Sequence, residues 1–388
     1  MNSRERVNMA LSHEEPDRVP FDLGGSVVTS IALSTYADFR QYLGLPPVAV
    51  RTLETVQQIA WVDEDMLERL GLDVIPVFAN PPSGDPTVIT QAPDGTIAFK
   101  DDFGATLSKP PSSYYYDWTA FPLKEPSLDD LAHMAWPDAA DPARYRGLRA
   151  QVQALRASTD KALFGMAPCG HDLFIQILRV RGMQEGLMDL VANPEFAEAF
   201  FERLTQTICT AQELFLTEVG DLIDVHFAAD DLSGQASPLI SPRLYRRLIK
   251  PFQARIMQTI RAHTQAKIFY HSCGAIDQFI PDLIEIGVQI INPVQVSAHG
   301  MDSGGLKKKY GKNLSFWGGG CDTQSILSRG TPQDVAAEVR RRIADLAPGG
   351  GFVFNPVHNI QPQVPPANIA AMFEAAQKYG KYPIQSSN

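Results

Sequence analysis

The stretch KIFYHSCGAIDQFIPDLIEIGVQIINPVQ, residues 267–295, reads as a strand, a helix and a second strand. The two strand segments, 267–273 and 289–295, are mostly apolar, and Ile276–Ile286 between them has the length of a short helix. A helix that joins two apolar strands is typical of a β-α-β unit, in which the strands lie parallel and are covered on both faces. This stretch predicts an α/β fold.

The same alternation recurs along the chain and predicts a TIM (β/α)8 barrel. Helical segments separate most of the eight strand candidates in this chain of 388 residues. No G-x-G-x-x-G follows the first strand, which weakens the alternative of a dinucleotide-binding open sheet. We expect a single domain over residues 1–388, with an N-terminal extension before the barrel. The predicted strands are 18–25, 72–78, 162–168, 222–230, 267–273, 289–295, 314–321 and 351–358.

Residues 86–108 interrupt this pattern. Apolar and polar residues alternate on both sides of Asp94-Gly95, a dipeptide that favours a tight hairpin turn. The alternation predicts a β-hairpin insertion near residues 86–108. A long loop follows, and its aromatic run Tyr114–Trp118 is either ordinary packing or a lid over an aromatic or apolar substrate.

Composition excludes several classes of protein. Hydrophobic residues make up 44% of the chain and charged residues 20%, as in ordinary globular proteins. The net charge of −10 argues against nucleic acid as a partner, because nucleic-acid binding needs a basic face. The N-terminal residues lack the apolar core of a signal peptide, and no apolar run is long enough to span a membrane. The four scattered cysteines indicate a reduced, cytoplasmic protein.

Polar residues collect where the predicted strands end. In a TIM barrel the active residues lie at the carboxyl ends of the strands, so these side chains should meet at one mouth. Each of them is also compatible with a structural role, such as helix capping or a polar rim. The candidates are His171, Asp230, Asp231, Gln235, His271, Cys273, Asn292, Cys321, His358 and Asn359.

Three of these candidates predict a metal site. His271 and Cys273 are two residues apart on one strand, so both side chains project from the same face, about 6.6 Å apart at the backbone. Cys321 ends the seventh strand, and alternate strands of a barrel share a layer of inward side chains. Three nitrogen and sulfur ligands with one open position are typical of catalytic zinc. The alternatives are packed cysteines and, for Gly318–Gly320, a phosphate-binding loop, although no lysine follows closely.

Three segments carry a resemblance to a known family. FYHSCGAI, SFWGGGCDTQ and GGGFVFNPVHNIQPQVPPANI resemble the uroporphyrinogen decarboxylase superfamily, and within it the zinc-dependent, corrinoid-linked methyltransferases such as methylcobamide:coenzyme M methyltransferases. The resemblance runs from about Pro16 to Tyr382 and implies a TIM barrel with zinc on His271, Cys273 and Cys321. The decarboxylases carry an arginine-rich motif soon after the first strand. Here no arginine lies between Arg18 and Arg40, which disfavours porphyrinogen decarboxylation.

The resemblance implies a zinc-dependent methyltransferase that moves a methyl group between an O-, N- or S-methyl substrate, or a thiol, and a corrinoid. No D-x-H-x-x-G segment occurs, so the corrinoid (cobalamin) is expected on a partner protein. In this hypothesis Asp231 and His358 are catalytic. The substrate-binding candidates are Asp230, Gln235, His171, Asn292 and Asn359.

Two alternatives stay open at this point. One is a decarboxylase that acts on a carboxylated substrate, and the other is a non-catalytic protein that binds a ligand in the same site. The oligomeric state is also open, with a homodimer as one arrangement.

Overall fold

The fold is known from a computed structural model, which describes residues 1–84 and 88–384. The strands of the described residues are β1 (Thr52–Glu54), β2 (Ile59–Ala60), β3 (Val74–Phe78), β4 (Thr90–Gln91), β5 (Ile97–Lys100), β6 (Thr106–Lys109), β7 (Asp117–Ala120), β8 (Ala162–Met166), β9 (Val225–Ala229), β10 (Lys267–His271), β11 (Ile290–Asn292), β12 (Ser315–Trp317) and β13 (Phe352–Val353). The centre of the fold is a parallel sheet of seven of them in the order β13-β12-β11-β10-β9-β8-β3, so its strands lie side by side in the order in which the chain forms them.

A short segment around Phe21 lies between the two edges of this sheet. Phe21 forms a parallel bridge with Phe354 just after β13, and its carbonyl accepts the N–H of Asp73 just before β3 at 2.8 Å. The predicted first strand, 18–25, is therefore present only as isolated pairing. Pro20 offers no N–H, and the chain turns at Gly24 with φ +93°, so a regular strand cannot extend. The α/β, TIM-barrel-like fold is confirmed.

Helices cover the outside of the sheet, as the alternation predicted. Short 3-10 helices at Pro142–Arg144 and Asp277–Phe279 precede two of them. The α-helices are α1 (Ser3–Leu11), α2 (Leu33–Tyr42), α3 (Glu64–Leu70), α4 (Leu128–His133), α5 (Leu148–Ser158), α6 (Phe174–Arg181), α7 (Met183–Ala192), α8 (Pro194–Val219), α9 (Pro242–Leu248), α10 (Lys250–His263), α11 (Ile280–Ile286), α12 (Ser303–Tyr310), α13 (Ile326–Arg329), α14 (Pro332–Leu346) and α15 (Pro366–Tyr379). Across the described residues, none of these helices is both long and apolar enough to cross a membrane.

The insertion is larger than the predicted hairpin. It is a four-stranded antiparallel sheet in the order β4-β5-β6-β7, and residues 86 and 87 of the prediction lie outside the described part. The turn at Asp94-Gly95 joins β4 and β5, with φ +86° at Gly95. The fourth strand, β7, takes in Trp118 of the aromatic run, so part of the predicted loop is sheet.

Alternation along β10 decides which side chains reach the inside of the barrel. Phe269 points inward and packs edge-on against Phe164, with ring centroids 4.9 Å apart, whereas Ile268 and Tyr270 belong to the core under the helices. Counting onward by two puts His271 and Cys273 on the inner side as well. The sheet thus delivers both side chains to the carboxyl end of the barrel.

Candidate metal centre

A cavity of about 610 Å³ opens at the carboxyl end of the sheet. Its walls come from the barrel loops and from the insertion, and it lies above the aromatic layer that fills the barrel. The lining includes Val27, Glu54, Gln57, Phe78, Tyr115, Tyr116, Trp118, Met166, His171, Asp172, Arg179, Phe227, Asp231, His271 and His358. Several residues predicted from the sequence therefore do meet at one mouth.

His271, Cys273 and His358 form a cluster of metal-ligand type at this mouth. One donor atom from each lies within 4.8 Å of the others. The Cys273 Sγ is 3.4 Å from His271 Nε2, and the rings of His271 and His358 have centroids 5.3 Å apart. Two imidazoles and a thiolate are a donor set that zinc prefers.

Asn292 fixes the ring of His271. Its Oδ1 lies 2.6 Å from His271 Nδ1, and its Nδ2 donates to the Trp317 carbonyl at 2.8 Å. The second contact orients the amide so that Oδ1 must accept, which places the imidazole proton on Nδ1. The lone pair of Nε2 is then free and directed toward Cys273.

His358 is supported differently. Its Nδ1 accepts the N–H of Asn359 at 2.8 Å, and burial, followed by the nearby His271, lowers the pKa of His358 to about 3. The ring is therefore neutral at ordinary pH, as a metal ligand must be. Because the neutral ring in this arrangement carries its proton on Nε2, ligation would require the Asn359 contact to loosen.

Cys273 is a protonated thiol in the absence of metal. Burial, followed by the charge of Asp231, raises the pKa of Cys273 well above its usual 9.0. The Asp231 Oδ1 accepts the backbone N–H of Cys273 at 2.7 Å and lies 3.9 Å from His271 Nε2. A bound cation would reverse the electrostatics and favour the thiolate.

Cys321, the third ligand predicted from the sequence, lies outside this cluster. Its side chain is fully buried in the core between sheet and helices, and the charged groups that act on it are Glu338 and Arg342 of α14, together with Asp322. Gly318 and Gly319 both have positive φ, +83° and +84°, so alternation stops after Trp317. The chain turns Cys321 outward, and the third member of the cluster is His358.

Asp230 and Gln235 do not line the cavity either. Asp230 is fully buried, and its carboxylate accepts the N–H groups of Phe174 and Ile175 at 2.7 and 3.0 Å, so it caps the start of α6. Burial, followed by Asp172, raises the pKa of Asp230 to about 7. Gln235 is exposed on the loop after β9.

Of the other predicted polar residues, one lines the cavity and the others hold its lining residues in place. His171 lines the cavity and packs edge-on against Phe227 with centroids 4.7 Å apart. Asn359 is buried and holds the loop at Val27 and the side chain of Gln57 through Nδ2, at 2.9 and 3.0 Å. Asn359 and Asn292 thus do not line the cavity themselves, but they hold in place residues that do.

Sequence reasoning missed Arg179, Asp172 and Glu54. Arg179 of α6 donates to Asp172 Oδ2 at 2.6 Å, and its guanidinium lies 4.8 Å from the Trp118 ring centroid. Glu54 reaches the cavity from β1, a strand that no pattern indicated. Only Asp172 carried a usable signal, since it follows His171 at a strand end.

Comparison with known families decides the classification. A family model described as uroporphyrinogen decarboxylase (URO-D) matches residues 2–379.

The chain belongs to the uroporphyrinogen decarboxylase family.

Within this family, a curated uroporphyrinogen decarboxylase from Alkalilimnicola ehrlichii is 42% identical over 48 residues. That match covers 12% of this chain and 13% of the relative, so it says little about the site.

The uroporphyrinogen decarboxylase fold also recurs in a solved methyltransferase from Methanosarcina mazei. The two chains align over 98% of this chain and 99% of that one, with a TM-score of 0.63 and 15% sequence identity. At that identity the likeness establishes a shared fold.

Proposed function

We propose that this member of the uroporphyrinogen decarboxylase family is a metal-dependent methyltransferase. It would move a methyl group between a small O-, N- or S-methyl substrate, or a thiol, and a corrinoid carried by a partner protein. The observation that carries the proposal is the cluster of His271, Cys273 and His358 within 4.8 Å at the open end of the barrel. The proposal places the protein in a reducing cytoplasm, where its four cysteines stay free thiols.

The residues present fit a zinc ion. His271 offers Nε2 with its other nitrogen held by Asn292, Cys273 offers sulfur 3.4 Å away, and His358 offers a neutral ring. Zinc in such a site polarises a bound heteroatom and keeps it anionic near neutral pH, which suits activation of a thiol or departure of an alkoxide, amine or thiolate.

The surrounding residues supply orientation and proton transfer. Asp231, half-buried and 3.9 Å from His271 Nε2, is placed to accept a proton or to complete the ligand set. The apolar and aromatic walls exclude water around the reacting group, which strengthens each polar contact inside. His171, whose pKa burial lowers to about 4, presents a neutral ring to the substrate.

Metal analysis of purified variants tests the site. We expect about one zinc per chain in the wild type and in Cys321→Ala, and strongly reduced zinc in Cys273→Ala and His271→Ala. Cys321→Ala is the control, since it removes a buried thiol that lies outside the cluster. Zinc lost from Cys321→Ala and retained in Cys273→Ala would refute the ligand set.

Methyl transfer is tested by mixing the zinc protein with cob(I)alamin and candidate methyl donors, or with methylcobalamin and thiols, and following the cobalamin spectrum. Conversion that requires metal supports the methyltransferase. Tight stoichiometric binding without any conversion would instead support a non-catalytic ligand-binding protein.

The second candidate is decarboxylation of a carboxylated substrate, which family membership favours. The cavity offers little positive charge for it, because Arg179 is the one Lys or Arg side chain among the described lining residues and is paired with Asp172. Carbon dioxide release by the metal-free protein would select this alternative.

A further inference from the structure

One wall of the cavity comes from the insertion and is aromatic. Tyr115, Tyr116 and Trp118 line it, and each is held in place. The N–H of Tyr116 donates to the Val56 carbonyl at 3.0 Å, Tyr115 contacts Gln361 through its hydroxyl, and the ring of Trp118 is covered by Arg179. Rigid rings lose little entropy on binding, so they form a ready surface for another flat ring.

The charges in the same cavity are already engaged. Asp172 binds Arg179, Glu54 accepts the N–H groups of Val56 and Gln57 at 2.7 and 2.8 Å, and Asp231 accepts the N–H of Cys273.

The balance of these charges selects among ligands. An anionic ligand would meet the carboxylates of Glu54, Asp172 and Asp231 near the single guanidinium of Arg179. A cationic ligand would meet that guanidinium. A neutral ligand adds no charge to the cavity and leaves the ion pair of Asp172 and Arg179 intact. It is therefore favoured, because unpaired charge in a desolvated site is costly.

Three buried polar atoms of the cavity-lining residues lack a partner. Trp118 Nε1, Arg179 Nε and His171 Nδ1 make no hydrogen bond to any residue between positions 1 and 84 or 88 and 384. Buried polar atoms without a partner are few in folded proteins, and such atoms beside a cavity indicate a ligand or water that satisfies them. An oxygen substituent on a bound ring would supply the missing hydrogen-bond partner.

We propose that the small molecule taken by this site is a neutral methoxyarene with a further oxygen substituent, held with its ring against Tyr115, Tyr116 and Trp118. The methoxy group of this ligand is the one part of the inference that rests on the proposed methyltransferase function. Recognition of a flat, neutral ring follows from the wall itself.

Binding to the zinc-loaded protein, without corrinoid, tests this inference by calorimetry and by quenching of tryptophan fluorescence. The probes are para-methoxyphenol, para-methoxybenzoate and para-methoxybenzyltrimethylammonium, which share a ring and differ in charge. We expect the phenol to bind about tenfold tighter than either charged analogue. Equal or tighter binding of a charged analogue would overturn the proposal.

Variants of the aromatic run locate the binding surface. Trp118→Leu and Tyr115→Leu should each weaken methoxyphenol binding about tenfold, whereas Trp118→Phe, which keeps an aromatic ring, should retain most of it. Tyr114→Leu is the matched control, because Tyr114 is exposed and lies outside the cavity lining. An equal loss in Tyr114→Leu and Trp118→Leu would refute the assigned wall.

Methyl transfer to cob(I)alamin is measured separately on the same samples. Selective binding of methoxyphenol without methyl transfer would refute the proposed function and support this inference. Methyl transfer from a charged, non-aromatic donor in preference to methoxyphenol would refute this inference and leave the proposed function standing.

Discussion

Asn292 and His271 face each other across β11 and β10, in register, with Oδ1 and Nδ1 2.6 Å apart. Both side chains are buried, and the Asn292 amide is itself oriented by the Trp317 carbonyl of β12. Three adjacent strands thus cooperate to present one imidazole nitrogen to the mouth. Partners of this kind fix the tautomer and orientation of a metal-binding histidine, and replacing them typically weakens metal binding.

Replacing Asn292 should therefore weaken metal binding without touching a ligand. We expect Asn292→Leu to lower zinc affinity about 10- to 100-fold, because the His271 ring loses its fixed tautomer and orientation. Competition with a chromophoric chelator gives the affinity, and the nitrogen shifts of His271 report its tautomer. Asn368→Leu is the control, since Asn368 is an equally buried amide that donates to Leu327 and Gly330 far from the cluster. Unchanged affinity in Asn292→Leu would contradict this role.

Zinc affinity should rise with pH, because binding should release one proton. The raised pKa of Cys273 means that the thiol is protonated until well above pH 9.0, so binding must release its proton. His358, with its pKa lowered to about 3, has no proton to release at neutral pH. We expect a gain of about tenfold per pH unit between about pH 7 and pH 9. The slope should vanish in Cys273→Ala, and a wild-type slope of zero would show that Cys273 is not a ligand.

Gly319 should tolerate no side chain. Its φ is +84°, and a Cβ there would lie 2.6 Å from the Cβ of Val294. Gly319→Ala therefore combines backbone strain of about 1–2 kcal/mol with a clash, and we expect a clear fall in Tm. Gly349→Ala separates the two effects, because Gly349 has φ +75° with nothing within 4 Å of the added atom. Equal losses in both variants would mean that the close approach to Val294 costs nothing.

Among the buried charged residues, Asp73 should be one of those whose replacement lowers stability most. It accepts Arg6 Nη1 and Arg18 Nη1, each at 2.7 Å, and the N–H of Phe21 at 2.8 Å, so it ties the N-terminal segment to the start of β3. Asp73→Ala leaves Arg6, which is almost fully buried, without this partner, and we expect a loss of about 3–5 kcal/mol in the free energy of unfolding. Asp94→Ala, at the exposed hairpin turn, should change stability by less than about 1 kcal/mol. Denaturant unfolding measures both.

Local pattern was sufficient for the α/β class, the TIM-like barrel and the inward pair on β10. The periodicity of strands and helices depends on residues close together in the sequence. Counting by two from Phe269 to His271 and Cys273 places these side chains on one face without tertiary information. The hairpin signal at Asp94-Gly95 was equally local, although it did not reveal that two further strands extend the insertion.

The third member of the cluster was decided by tertiary structure. The position of Cys321 at the end of the seventh predicted strand, two strands from His271, favoured it as a ligand. Two consecutive glycines with positive φ end the alternation after β12 and turn that thiol toward α14. His358 follows β13 in an irregular segment, so no periodicity fixes the direction of its side chain. β12 and β11 separate β13 from β10 in the sheet, so the path of the chain after β13 brings His358 beside His271. Sequence by itself thus determined most elements of the barrel and the residue types at their ends, whereas backbone turns after the strands determined which side chains meet.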